Sequence, residues 1–336
     1  MFSELVVAYL FLGGAGAGAC AVLAILGLLA DGDDVRRCAT LRFRDGRGRF
    51  YGGFFGGTLV GAAAVLGLAA LCLAADVGRP DRLLVLATSA LTSYLVVGAW
   101  AVALCFVLAL GAALLWYGIV PVSLVGLRVV DGLLLVVAIV VMAYTGLLLS
   151  DMASVPLWHS GWLPIVFVLS SLSCGIALCV VFALLGRSAV AFARALRFLL
   201  RVDGLLIVLE CVALAAWLLS VCVAANSLSP SGVLTSTGQA ARDSVAQLLS
   251  GSDAPLFWLG LVALGLVVPL VIDAVVGFAA RSHSSSSASN GERRVSAPLR
   301  TKGALLASAG CVLVGGACLR AAVVAAGMLP AVVSPF

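Results

Sequence analysis

Charge is what this sequence has least of. Asp, Glu, Lys and Arg make up 10% of its 336 residues, while 63% are hydrophobic and the mean hydropathy is +1.21. A soluble core of this length could not hide so much apolar surface, so the chain is read as an all-α integral membrane protein. Histidine is nearly missing: the two present, His159 and His283, lie outside the apolar runs. A membrane b-type cytochrome takes its axial ligands from within its helices, so a haem held by this chain is disfavoured. The ten cysteines form no CxxC pair, which counts against an iron–sulfur cluster or a metal site and leaves them as small packing residues. Residues 1–4 lack the basic start of a cleavable signal peptide. The formal charge of +5 comes from arginines spread through loops, so nucleic acid is not a partner. No internal repeat is convincing.

What is there is a series of apolar runs, each long enough to cross a bilayer at about 20 residues or more. They fall near 5–30, 54–75, 83–115, 122–150, 162–186, 202–224, 256–280 and 303–328. The third is long for one span and is expected to tilt or to extend beyond the bilayer. Loop 31–53 carries Arg36, Arg37, Arg42, Arg44, Arg47 and Arg49. Loop 187–201 carries Arg187, Arg194, Arg197 and Arg201, and loop 281–302 carries Arg281, Arg293, Arg294, Arg300 and Lys302. The opposite side has Arg79, Arg82 and Arg242. The positive-inside rule then places the Arg-rich loops in the cytoplasm and both termini outside. Residues 281–302 read as a mobile cytoplasmic loop around a serine-rich stretch, and residues 225–255 as an outer loop. Within that outer loop Ala241, Val245, Leu248 and Leu249 have helical spacing, which predicts a short helix on the membrane surface or against a partner. Gly13, Gly14, Gly16 and Gly18 in the first run predict close helix packing and not a dinucleotide fingerprint, because no strand precedes them.

One stretch, residues 128–162, organises the rest. It holds Asp131 near the start of a span, Tyr144 deep within it, Asp151 at its end, and then a turn with Trp158, His159 and Trp162. Tyr144 and Asp151 are two helical turns apart, about 10 Å, and share a face. Asp131 lies about 20 Å from Tyr144 in the other direction. Trp158 and Trp162 have two readings, an aromatic belt at the interface or the lining of a headgroup site.

Other polar residues lie inside the spans, where charge is costly and marks pairing or function. Tyr9, Tyr144 and Arg320 fall at similar depth in the outer half, with Glu4 and Asp151 near the outer ends. Asp131, Asp203 and Asp273 fall towards the cytoplasmic side, and Glu210 sits near mid-membrane on the face of Asp203. The outer group is read as one wall of a site for an amphipathic redox molecule, the inner acids as a proton pathway. The alternative for the first is a structural tyrosine hydrogen bond or ion pair. For Asp131 and Asp203 it is pairing with the nearby Arg128 and Arg201.

Five segments in order carry a family resemblance: YLFLGGAGAGA at 9–19, RVVD at 128–131, YTGLLLS at 144–150 with VPLWHSGWLPIVFVLSSLSCG after it, RVDGLLIVLE at 201–210, and GGACLR at 315–320. Together they resemble the NrfD/PsrC-type membrane subunit, from the first span to the last. The resemblance implies a single membrane domain over 1–336, with eight transmembrane helices in two four-helix bundles and no cofactor bound in the subunit itself. It implies a quinone site, menaquinone-type, near the outer face, beside a docked four-cluster ferredoxin-like iron–sulfur subunit and a molybdopterin-type catalytic subunit. The expected role is a quinol-oxidising or quinone-reducing subunit of a respiratory oxidoreductase complex in the cytoplasmic membrane, with proton translocation an open question. The family's quinone-bonding tyrosine falls on Tyr144. Family contacts on the first helix include Asn and His; this first span has neither, and Glu4 and Tyr9 are the substitutes it offers. Asp151, Arg320, Trp158 and His159 complete the expected quinone site; Asp131, Asp203, Glu210 and Asp273 form the expected proton pathway.

Two other functions compete: a proton-coupled secondary transporter, in which buried acids bind protons and substrate, and a plain membrane anchor. A neighbouring gene for a ferredoxin-like protein with four Cys-rich motifs favours the redox subunit. The charge pattern also makes a prediction about topology. Reporter fusions after Phe336 and within residues 282–291 are expected to report opposite sides of the membrane; both on one side would refute the eight-span arrangement.

Overall fold

The computed structural model describes residues 4–30, 52–77, 94–120, 122–152, 155–185, 193–226, 236–275 and 297–328. These form nine helices and no strand among the described residues. Eight are long and apolar enough to cross a membrane. In chain order we label them α1 (Glu4–Leu29), α2 (Gly57–Val77, entered through a π-helical turn at Gly52–Gly56), α3 (Tyr94–Trp116), α4 (Leu124–Ser150), α5 (Trp162–Leu185), α6 (Ala193–Ala225), α8 (Leu256–Val275) and α9 (Ala297–Gly327). The ninth, α7 (Ser236–Ser250), is polar on one side and lies across the ends of α6, α8 and α9. The chain is thus an all-helical, multi-pass membrane protein.

The short helix expected between 225 and 255 is present as α7, with Ala241 and Leu248 fully buried and Val245 and Leu249 packed against the core. The long third run is described only from Tyr94; residues 83–93 lie outside the described residues. The loops at 31–51 and 276–296, with most of their arginines and the serine-rich stretch, also lie outside them. Helices α6 and α9 begin well before the apolar runs at 202 and 303, so each extends past the hydrocarbon at its N-terminal end.

Helix α1 is the pivot. It packs against α2, α4 and α5 along most of its length and touches α9. Its glycines make this possible. A Cβ on Gly18 would run into the Ser171 carbonyl of α5, and one on Gly175 of α5 would run into the Gly18 backbone. The two helices therefore cross backbone to backbone, the geometry that small residues permit where lipid supplies no hydrophobic drive. Gly265 of α8 and Gly315 of α9 make a second crossing of this kind. The π-helical winding of α8 over Leu256–Val267 runs up to Pro269, which has no N–H to continue the ordinary ladder. Outward-facing Leu71, Val107, Val136, Leu219 and Val223 are exposed, as lipid-facing side chains should be.

Arg320 near the end of α9 donates to the Leu10 carbonyl near the start of α1, so these two helix termini share one end of the bundle. We call this the terminal end, and the opposite end, where α1 finishes and α9 starts, the loop end. The α1–α5 crossing generates a prediction. Gly18→Ala is expected to destabilise by about 2 kcal/mol or more, because backbone cannot give way. Gly13→Ala, where nothing stands within 4 Å of the added methyl, should stay within about 1 kcal/mol of wild type. Thermal unfolding of the two variants in detergent decides it.

Candidate functional site

Two tyrosines meet inside the terminal end. Tyr9 is five residues into α1 and Tyr144 six residues before the end of α4, so both sit roughly 8–9 Å below that end. Their hydroxyls hydrogen-bond each other, and their rings lie tilted at 56° with centroids 6.5 Å apart. Both are almost fully buried, at 1% and 3% exposure. Space for the Tyr144 ring comes from α3: a Cβ on Gly98 would fall within the ring. Two hydroxyls in one bond hold two hydrogens but use only one between them, so the pair keeps one O–H donor for a further acceptor.

Arg320 of α9 reaches the backbone of α1 at the residue after Tyr9 and has no exposed surface. Its guanidinium donates to the Leu10 carbonyl (3.2 Å), the Gly316 carbonyl (2.8 Å), Ser171 Oγ (2.8 Å) and Ser170 Oγ (3.4 Å). The rings of Phe11 and Phe167 flank it at 5.7 and 5.4 Å. Glu210 of α6 is within electrostatic reach, and Ser170, which accepts from Arg320, lines the same small cavity as Glu210, so a hydroxyl lies beside both cation and acid.

From Glu210 the polar groups continue towards the loop end. A small cavity with room for about one water is lined by Glu210, Ser170, Ser173 and Cys174 of α5–α6 and by Val312 and Gly315 of α9. Ser173 Oγ donates to Asp203 Oδ1 at 2.7 Å. Asp203 and Asp273 lie within electrostatic reach of each other, and Ser308 Oγ donates to Asp273 Oδ1 at 3.1 Å. Asp203 and Glu210 are each 4% exposed, and Asp273 is half-buried close to the described end of α8.

Asp131 stands apart. It is 1% exposed, near the loop end of α4. Its Oδ1 faces Trp116 Nε1 of α3 at 3.5 Å, and Phe55 stacks on that indole. Its Oδ2 has no partner and faces Gly27 of α1, where a Cβ would stand 2.5 Å away. Arg128 and Arg201 are exposed while Asp131 and Asp203 are buried, so the pairing alternative is not the arrangement found.

The turn after α4 closes the terminal end. Leu157 and Trp158 are buried. Trp158 Nε1 donates to the Val323 carbonyl of α9 at 2.8 Å, Trp217 Nε1 of α6 donates to the Leu157 carbonyl at 3.2 Å, and Ser160 pairs with Ser220 at 2.9 Å. Trp158 thus latches the turn to α9, whereas Trp162 is 42% exposed at the rim. His159 is exposed and bonds the Ser150 carbonyl through Nδ1 (3.1 Å). Asp151 caps α4, its backbone N–H bonded to the Leu147 carbonyl (3.0 Å) and its side chain exposed. Glu4 is exposed as well.

The structure therefore joins Tyr9 to Tyr144 and ties Arg320 to the neighbouring Leu10 carbonyl, while Glu4, Asp151 and His159 stay on the outside of the same end. It places Asp203 within electrostatic reach of both Glu210 and Asp273 and separates Asp131. Sequence reasoning missed the serines that connect these groups, Ser170, Ser171, Ser173 and Ser308. The signal was present: S-S-L-S is a run of small hydroxyls in the middle of an apolar span.

Buried acids and a buried arginine, linked by hydroxyls across a bundle of membrane helices, define a membrane protein with a built polar interior. The chain belongs to the family Polysulphide reductase, NrfD, which matches residues 1–286. It is similar to the C subunit of the polysulfide reductase of Wolinella succinogenes, 34% identical over 138 residues, or 41% of this chain and 40% of that one. It is also similar to Protein NrfD of Escherichia coli, 29% identical over 145 residues, or 43% of this chain and 42% of that one. Each match thus spans about two fifths of the relative's length.

The Arg320 cluster yields a prediction. Arg320→Lys keeps the charge, but an ammonium cannot reach acceptors on α1, α5 and α9 at once. A loss of about 2–4 kcal/mol is expected from the broken charged hydrogen bonds; thermal unfolding in detergent measures it, and an unchanged midpoint would show that the cluster does not hold the fold.

Proposed function

We propose that this chain is the quinol-oxidising or quinone-reducing membrane subunit of a respiratory oxidoreductase complex. The observation that carries the reading is the Tyr9–Tyr144 pair, which keeps a spare hydroxyl donor at headgroup depth, buried within the bundle. A quinone carbonyl needs such a donor, and its isoprenoid tail needs apolar surroundings. Family membership supports the same reading.

A bound quinone, menaquinone-type, would supply a couple of two electrons and two protons. Tyr144 and Tyr9 donate hydrogen bonds to its oxygens, and the contact opens when one hydroxyl turns from its neighbour to the headgroup. Arg320 fixes the backbone at Leu10, the residue after Tyr9, and so holds one of the two hydroxyls in place. In quinol oxidation two protons leave the headgroup, and Asp151, Glu4 and His159 are among the titratable groups exposed at that end to receive them. The two electrons leave to a four-cluster ferredoxin-like iron–sulfur subunit docked on the terminal end, and from it to a molybdopterin-type catalytic subunit. By the positive-inside rule the terminal end faces outward from the cytoplasmic membrane. Glu210, Asp203 and Asp273 would carry protons from the loop end. Asp131 has no described link to them and is assigned no part in that file.

Tyr144→Phe removes one hydroxyl and little volume. One lost hydrogen bond is expected to weaken quinone binding by up to about tenfold. Quinol turnover should fall, while the complex still assembles and its catalytic partner still works with a soluble electron donor. Unchanged quinol kinetics would rule out the site, and failure to assemble would show that the tyrosine only holds the helices together.

A further inference from the structure

The two halves of the protein treat polar groups differently. Between Asp131 and Tyr144, α4 turns only Leu134, Ala138, Val141 and Met142 into the core. The facing parts of α1 and α3 offer alanines, leucines, Cys20 and Cys105. No carboxyl or hydroxyl bridges that gap among the described residues. In the other half no acid stands alone. Glu210 meets Ser170, Asp203 meets Ser173 and Asp273 meets Ser308, with a water-sized cavity between Glu210 and Ser173.

We propose that Ser170, Ser173 and Ser308, with one water in the cavity beside Glu210, join Glu210, Asp203 and Asp273 into a one-ended proton path. It opens at the loop end through Asp273 and is closed at the terminal end by the fixed charge of Arg320. This deepens the proton-handling part of the proposed function and does not depend on the quinone contacts.

The chemistry of each group fits. A serine hydroxyl donates one hydrogen and accepts others, so it passes a proton on by taking one and releasing its own, with no net change. Ser173 already donates to Asp203, and its oxygen lines the cavity that Glu210 also lines. A water there needs about three polar partners, and Glu210, Ser170 and Ser173 provide them. At the loop end, Asp273 Oδ2 is buried and without a partner among the described residues, while the residue as a whole is half-buried and the least buried of the three acids, which suits the group nearest the water outside. At the other end the path meets a guanidinium, which neither accepts a proton nor releases one at any ordinary pH. Four of its five hydrogens are committed to oxygens on three helices. A proton arriving beyond Glu210 would also be repelled by the charge. Glu210 is therefore the last stop, and the charge of Arg320 is the counter-charge that its ionised form faces.

The test is proton access to Glu210, read without turnover. The full chain, with whatever subunits accompany it, is placed in liposomes with the loop end facing the bulk. Infrared spectra are recorded from neutral to acid pH, and the protonated-carboxyl band of Glu210 is assigned by its loss in Glu210→Gln. On transfer to heavy water that band shifts as deuterium replaces hydrogen. In Ser173→Ala the shift should slow by about tenfold or more, as expected for one missing hydrogen-bond link, and Ser173→Thr, which keeps the hydroxyl, should restore it. Asp131→Asn should leave the rate unchanged. Equal rates in Ser173→Ala and wild type would overturn the path, as would a Glu210 that shows no protonated band at any pH. A wild-type band that shifts when heavy water is added only on the terminal side would overturn its direction. The quinone site stands or falls separately, on Tyr144→Phe.

Discussion

A buried arginine holds this molecule together. Arg320 enters from α9, reaches a carbonyl of α1 and two hydroxyls of α5, and has no contact with solvent. An unpaired charge within hydrocarbon is costly, so its position has to be prepared on every side. The preparation accounts for much of the surrounding sequence. Gly14 leaves space where a Cβ would stand 2.8 Å from the guanidinium. Ser170 and Ser171 supply oxygens, Phe11 and Phe167 supply ring faces, and Glu210 supplies the opposite charge one hydroxyl away. Such a cluster orders three helices relative to one another, where packing in lipid alone would leave their rotation and depth less fixed.

That constraint ties the two polar systems to one frame. The residue before the bonded Leu10 carbonyl is Tyr9, so the tyrosine pair is positioned from one side of the cluster. The acids and serines start from its other side, at Ser170 and Glu210. The turn around Trp158 adds rigidity by latching α4, α6 and α9 at the terminal end.

The glycine-lined crossings serve the same end. Close approach of α1 to α5 at Gly18 and Gly175 brings the Ser171 backbone onto α1 and keeps the serine face within range of Arg320. A bulkier residue at the crossing would move hydroxyls away from a guanidinium whose bonds are 2.8–3.4 Å long. Packing and polar chemistry are therefore not independent in this protein.

The sequence by itself determined the class, the number of candidate spans and which polar residues lie inside them, because hydropathy is a sum along the chain and a charge in an apolar run stands out without any partner known. Tyr144, Tyr9, Arg320, Glu210 and Asp203 were all legible in this way, as was the surface helix α7 from the spacing of Ala241 and Leu248. Only the tertiary structure decided which of them meet. Tyr144 and Asp151 share a face on paper, yet one turns into the core against Tyr9 and the other caps the helix in the open. Asp131 matches Asp203 in depth and in its neighbouring arginine, yet it faces an indole across α3 while Asp203 meets a serine. Trp158 was as readable as a belt residue as Trp162, and the Val323 carbonyl separates them. The reason is physical. Depth follows from counting at a fixed rise per residue, but contact depends on which helices are neighbours and how each is rotated, and that is set by glycine crossings and one buried cation far apart in the chain.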